Sequence, residues 1–138
     1  MSEVSVQWIG GQRFVGVDST KHSVVISTTA DGVGMKPSDL LLIALAGCSS
    51  VDVVDILKKK RIDLRGLEVK VSGEQDASPP WTFRKVHLDY ALRGKGLTEK
   101  AVQQAIDLAE EKYCSVSATI RGLAAITHSY QIVEESND

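Results

Sequence analysis

Residues 36–57 read Lys36-Pro-Ser-Asp-Leu-Leu-Leu-Ile-Ala-Leu-Ala-Gly-Cys-Ser-Ser-Val-Asp-Val-Val-Asp-Ile-Leu. The pattern predicts one long helix from Pro37 to about Lys60. Pro37 suits the first helical turn, where its missing N–H costs no hydrogen bond. Ser38 and Asp39 bring an acceptor and a negative charge to the positive end of the helix dipole, and the run Lys58-Lys59-Lys60-Arg61 opposes the negative end. Between Leu40 and Ala46 the helix is apolar on nearly every side, and such a helix must be enclosed on every side. Near its middle stands Cys48, preceded by Gly47, whose freedom permits a kink. The only other cysteine is Cys114, in Tyr113-Cys-Ser-Val-Ser.

On the N-terminal side the chain alternates. Val4, Val6 and Trp8 point one way and Ser5 and Gln7 the other, which predicts a half-buried strand over residues 3–9. Gly10-Gly11 marks a tight turn. Gln12–Val17 and the β-branched Ser23–Thr28 predict two more strands around the polar turn Ser19–His22. Three strands make a meander too small to stand alone, so it needs a covering layer or a partner chain. A glycine-bearing connector, Thr29–Lys36, leads into the helix.

On the C-terminal side, Leu67–Ser72 alternates cleanly, with Leu67, Val69 and Val71 inward. A polar loop from Gly73 to Pro80 precedes a returning strand, Trp81–Leu92. Phe83 falls out of phase with Val86, Leu88, Tyr90 and Leu92, which predicts a bulge near Arg84-Lys85. Thr98 is a good N-cap for a second helix over Glu99–Tyr113, with an apolar stripe of Ala101, Val102, Ala105, Leu108 and Ala109. Ser115 or Ser117 could cap a further short turn, which Gly122 would stop. Leu123–Val133 predicts a last strand, and Glu134–Asp138 a frayed acidic tail. The order β-β-β-α-β-β-α-β, with helices and antiparallel strands segregated, is an α+β fold.

The 138 residues fit a single domain, and 43% apolar with 25% charged residues is an ordinary globular composition. A net charge of −2 with no basic face argues against nucleic acid as a partner. The N-terminus lacks the regions of a signal peptide. The apolar run Leu40–Ala46 is shorter than a membrane span and is soon followed by Asp52 and Asp55. A cytoplasmic location is therefore expected, with no membrane association. Two cysteines in a reducing compartment do not make a static disulfide, and with three scattered histidines they do not make a zinc site.

The thiolate is the reactive form of cysteine, and nearby positive charge, helix N-termini and hydrogen bonds set its abundance. Cys48 lies mid-helix, and Asp52 one turn on would oppose ionisation unless it points away or is paired. Composition alone leaves two readings open: a reactive pair, or two buried inert thiols that pack as small apolar groups. His22, His87 and His128 have no partner at ligand or triad spacing, so turn and sheet roles are expected. Asp52 and Asp55 read as solvated or paired. Ser49-Ser50 is no nucleophile elbow, because the strand-to-helix turn with flanking glycines is absent.

Pro37-Ser-Asp-Leu-Leu-Leu-Ile-Ala-Leu-Ala-Gly-Cys-Ser-Ser-Val-Asp-Val, with Lys112-Tyr-Cys-Ser-Val-Ser far downstream, resembles the OsmC/Ohr family. These are the osmotically inducible protein C and organic hydroperoxide resistance proteins. The likeness runs from Trp8 through the final strand. It implies an intertwined homodimer, with two central helices wrapped by antiparallel sheets. It also implies a thiol-dependent peroxidase acting on organic hydroperoxides or hydrogen peroxide in oxidative-stress defence. Carried over by position, Cys48 matches the peroxidatic cysteine and Cys114 the resolving one. A Cys48 sulfenic acid would condense with Cys114, and an external dithiol would restore the pair. The resemblance implies no metal and no organic cofactor. The organic hydroperoxide resistance branch has a glutamate after the helix-start proline, whereas Ser38 stands here, followed by Asp39. The chain is thus closer to the general OsmC-like branch. Arg13 is the only arginine before the helix, and it and Asp39 are the candidate groups for stabilising the thiolate. Two alternatives keep the fold: a non-enzymatic dimeric protein binding a small apolar ligand, and a thiol redox sensor.

Overall fold

A computed structural model describes residues 1–134. The acidic tail expected over Glu134–Asp138 therefore lies, after Glu134, outside the described residues. The chain forms two compact units, Met1–Leu41 and the segment from Leu42 onward.

The first unit is the meander. Strands β1 (Ser5–Trp8), β2 (Arg13–Val17) and β3 (Ser23–Ser27) pair antiparallel in sequence order. Gly10 and Gly11 turn β1 into β2 with φ of 108° and 53°, a region that glycine enters without steric cost. The sheet leaves apolar side chains uncovered, with Val6 63% and Trp8 64% exposed. Val4, Val6, Val24, Ile26 and Leu40 line an apolar cleft of ≈ 360 Å³.

Helix α1 spans Pro37–Lys59, with Asp39 in its first turn and Lys58 and Lys59 in its last. It is long and apolar enough to cross a bilayer, with mean hydropathy 2.1 over its best window. The run Leu40–Ala46 understated that length. Its Leu45, Ser49, Val53 and Leu57 instead form a fully buried stripe at four-residue spacing. Enclosure on every side, expected from the sequence, is not what one chain provides: Ile43 is 49% and Val51 63% exposed. A single layer of sheet can cover only one face of a helical cylinder.

The second unit continues with β4 (Asp63–Gln75), β5 (Phe83–Lys95), α2 (Glu99–Leu108), a π-helical turn (Ala109–Tyr113), α3 (Ser115–Ile120) and β6 (Ala125–Val133). The sheet order is β4-β5-β6. Antiparallel pairing throughout was the expectation, but β5 and β6 run parallel. The chain returns to the sheet through a helical crossover rather than a hairpin, and a crossover delivers the next strand in the same direction. The expected bulge is present: Glu74 faces Lys85 and Gln75 faces Phe83, leaving Arg84 extra. A second irregularity lies between Leu64 and Gly66, near the close approach of Gly94, where a Cβ would stand 2.4 Å from the Asp63 carbonyl oxygen.

Val86, Leu88, Tyr90 and Leu92 of β5 all face the core, as alternation predicts. They meet the buried stripe of α1 and Val102, Ala105, Ile106 and Ala109 of the following helical segment. That face is centred about a third of a turn away from Leu108, which is 38% exposed and not part of the stripe. Thr98 caps α2, its side-chain oxygen accepting the Ala101 N–H at 3.1 Å. Thr98→Ala should cost about 1 kcal/mol of stability, read as a lower urea midpoint with an unchanged slope.

Candidate active site

Two helical segments bring the cysteines together within the second unit. Cys48 lies on α1, one residue before the buried Ser49. The π turn closes with the Cys114 N–H donating to the Ala109 carbonyl at 2.7 Å. Cys114 then leaves helical geometry (φ −77°, ψ 108°) and itself caps α3, its Sγ accepting the Ser117 N–H at 3.3 Å. The sequence placed this cap on Ser115 or Ser117. The thiol takes the position because the π turn ends at Tyr113 and α3 begins at Ser115, which leaves Cys114 as the residue between them.

Both thiols are free, Cys48 half-buried and Cys114 buried. Burial pushes the Cys48 thiol up. Interactions with the Cys114 thiol, with the Val116 N–H and with Ser115 act the other way, and together they bring its pKa below the ordinary value. Burial pushes Cys114 up as well. Donation to Cys48 adds to that rise, and the Ser117 hydrogen bonds offset only part of it. The environments thus separate the pair: Cys48 ionises more readily than an ordinary thiol, and Cys114 less readily. Ser115 and Val116 sit at the start of α3, a different helix from the one that carries Cys48.

A family model described as OsmC-like protein matches residues 29–129. The chain belongs to the OsmC-like family. It is 35% identical over 131 residues to protein YhfA of Escherichia coli, covering 95% of this chain and 98% of that one. A hypothetical protein of Aquifex aeolicus has the same fold, with TM-score 0.89 and 29% identity over 99% of this chain and 98% of that one. The organic hydroperoxide resistance protein OhrB of Bacillus subtilis shares the fold at TM-score 0.64 and 21% identity, over 95% and 98% of the two chains.

In this OsmC-like protein the other sequence candidates have local partners. Arg13 Nε meets Asp31 Oδ1 at 2.6 Å, and Asp31 also accepts the Gln12 N–H. Asp39 lies 3.9 Å from Lys36 Nζ in the first turn of α1, consistent with a helix-start charge. His22 joins the Asp18–Thr20 turn. His87 hydrogen-bonds Thr127 and Ser129 across the parallel strands. Among the described residues no three His, Cys, Asp or Glu side chains gather as metal ligands would.

His128 departs from the sheet role read from sequence. Its Nδ1 lies 2.9 Å from Glu110 Oε2, in a buried chain of polar groups. Glu110 Oε1 accepts the Tyr90 hydroxyl at 2.9 Å, and Tyr90 lies 2.6 Å from Ser49 Oγ. Gln103 Nε2 approaches His128 Nε2 at 3.2 Å and donates to Asp107 at 2.9 Å. The Arg121 guanidinium donates to the Glu110 carbonyl. The outer end of this chain opens on a cleft of ≈ 540 Å³, lined by Glu110, Ser117, Arg121 and His128 among others. Sequence reading missed it because its members come from α1, β5, the π turn and β6. The one local signal was a glutamate pair, Glu110-Glu111, at the end of an otherwise apolar helix stripe.

Proposed function

We propose that this OsmC-like protein is a cysteine-based peroxidase that reduces organic hydroperoxides or hydrogen peroxide. The observation that carries the reading is the Cys48–Cys114 contact, with opposite pKa shifts on the two thiols. A depressed thiol presents more thiolate near neutral pH, and its neighbour keeps the proton that the second step needs. The likeness to OhrB, named as an organic hydroperoxide resistance protein, supports the same chemistry.

The steps balance without a cofactor. The Cys48 thiolate attacks one peroxide oxygen, the O–O bond breaks, and the alkoxide leaves and takes a proton to become the alcohol. Cys48 is now a sulfenic acid. The Cys114 sulfur attacks the Cys48 sulfur, an S–S bond forms, and the departing hydroxide takes the Cys114 proton as water. An external dithiol then returns two electrons to the disulfide. A cytoplasmic setting supplies such reductants. One equivalent of cumene hydroperoxide should therefore convert the reduced protein to an intramolecular Cys48–Cys114 disulfide, seen by peptide mass mapping. If both thiols stay alkylatable after that treatment, the reading is wrong.

The uncovered face of α1 supports a homodimer in which a second chain covers it. Ile43, Val51 and Val54 are each more than a third exposed on one helix face, and clustered exposed apolar side chains mark protein–protein contact surfaces. Val51→Glu should shift the protein from dimer to monomer in analytical ultracentrifugation, and unchanged dimerisation would reject this interface. The apolar cleft of the first unit favours a second reading, the binding of a small apolar ligand. Native mass spectrometry of the purified protein separates the two. A co-purifying ligand with an unreactive Cys48 supports binding, and an empty protein with a fast-reacting Cys48 supports catalysis.

A further inference from the structure

We infer that the buried chain Ser49–Tyr90–Glu110–His128 is a positioning device for the cysteine pair. It holds the π turn that ends in Cys114 against the turn of α1 that carries Cys48, and so sets how readily the two thiols become a disulfide. The inference deepens the peroxidase reading and concerns residues that do not touch the peroxide.

The geometry is that of a strut. Ser49 adjoins Cys48 on α1, and Glu110 lies one π turn before Cys114. Tyr90, from the central strand β5, touches both, at 2.6 Å from Ser49 Oγ and 2.9 Å from Glu110 Oε1. Glu110 is then held at its other oxygen by His128 on β6 and at its backbone carbonyl by Arg121. Ser49 and Tyr90 are fully buried, and Glu110 is 8% exposed. Burying two hydroxyls and a carboxylate is costly unless each is hydrogen-bonded. A satisfied network fixes one arrangement, whereas apolar side chains would allow the helices to slide.

The π turn makes the strut specific to the cysteines. Inserting one residue into a helical turn rotates everything after it by about 100°, and such turns recur at functional sites. Here the insertion turns Glu110 inward and places Cys114 against Cys48. Disulfide bonds demand Cβ atoms roughly 3.8 Å apart and a narrow range of torsion, so a small displacement of the π turn lowers the effective concentration of one thiol at the other. Burial raises the Tyr90 pKa, reinforced by the Glu110 carboxylate. Tyr90 therefore stays a proton donor to Glu110 across the pH range in which the cysteines ionise.

The test measures the dithiol–disulfide equilibrium of the purified protein in dithiothreitol redox buffers, with alkylation and mass spectrometry to count free thiols. Tyr90→Phe and Glu110→Ala should each make the disulfide harder to form by about tenfold, a rise in reduction potential of about 30 mV. Glu110→Gln, which keeps an acceptor for the Tyr90 hydroxyl, should stay within about threefold of wild type. Should Tyr90→Phe fail to fold, Ser49→Ala removes the α1 end of the strut and should shift the equilibrium in the same direction. A purely structural role would lower melting temperatures and leave the equilibrium constant in place. Equilibrium constants within about twofold of wild type for Tyr90→Phe (or Ser49→Ala in its place) and Glu110→Ala overturn the inference. So does a wild-type pair that forms no disulfide in these buffers. No peroxide enters the measurement, so a protein that fails to consume peroxide would defeat the peroxidase reading and leave this result standing.

Discussion

The Cys48→Ser protein is expected to consume cumene hydroperoxide no faster than the uncatalysed background. Removing a catalytic nucleophile usually costs roughly three orders of magnitude or more. A serine hydroxyl in the same place is not ionised near neutral pH and has no accessible sulfenic acid. Cys114→Ser should behave differently. The first step survives, so one equivalent of peroxide is consumed and a Cys48 sulfenic acid accumulates, trappable by dimedone, while turnover with dithiothreitol slows. The pH dependence follows from the direction of the shift. Because the Cys48 pKa lies below that of an ordinary thiol, its alkylation by iodoacetamide should stay fast at pH values where a free cysteine has become protonated and slow. Cys114 is shifted the other way and should react only at higher pH. Equal peroxide consumption by wild type and Cys48→Ser in the coupled assay would remove the enzymatic reading.

The largest stability effect is expected at Leu57. It is fully buried in the last turns of α1, at the end of the Leu45–Ser49–Val53 stripe and within the core cluster that includes Leu88 and Leu92. Leu57→Ala should cost roughly 2–5 kcal/mol, through lost transfer energy and the cavity left behind. Against a typical total of about 5–15 kcal/mol, that is a large fraction of the whole. Urea denaturation followed by far-UV circular dichroism reads it directly. Leu57 makes no polar contact with the cysteines, so the folded fraction should keep the wild-type Cys48 alkylation rate. A cost below about 1 kcal/mol would mean that the helix is not seated on the sheet as described.

Most elements were legible because their signals are local. The alternation of Val86, Leu88, Tyr90 and Leu92 names both the strand and its inward face. Pro37 and the lysines at residues 58–60 bracket α1, and Thr98 opens α2. Phe83 falling out of phase revealed the bulge at Arg84. The limits were equally physical. The π turn has the composition of the helix it interrupts, and only its i to i−5 hydrogen bond, Cys114 N–H to Ala109, distinguishes it. The parallel β5–β6 pairing depends on how the crossover returns, which no strand reveals by its own pattern.

The same division governs the site. The sequence by itself determined that two cysteines stand in two distinctive motifs, one within a long apolar helix and one at the end of another, and that the chain is an α+β domain resembling the OsmC/Ohr family. Only the tertiary structure decided which groups act on the Cys48 thiol. From sequence, a cation was sought and Arg13 named. In the structure Arg13 pairs with Asp31, and the groups that lower the Cys48 pKa are Cys114 and, at the start of α3, Ser115 and Val116. Tertiary structure alone also joined Ser49, Tyr90, Glu110 and His128. Hydrogen bonds act over about 3 Å between residues tens of positions apart in the chain, and no local pattern of residue types records which distant groups the packing of helix on sheet will bring to that distance.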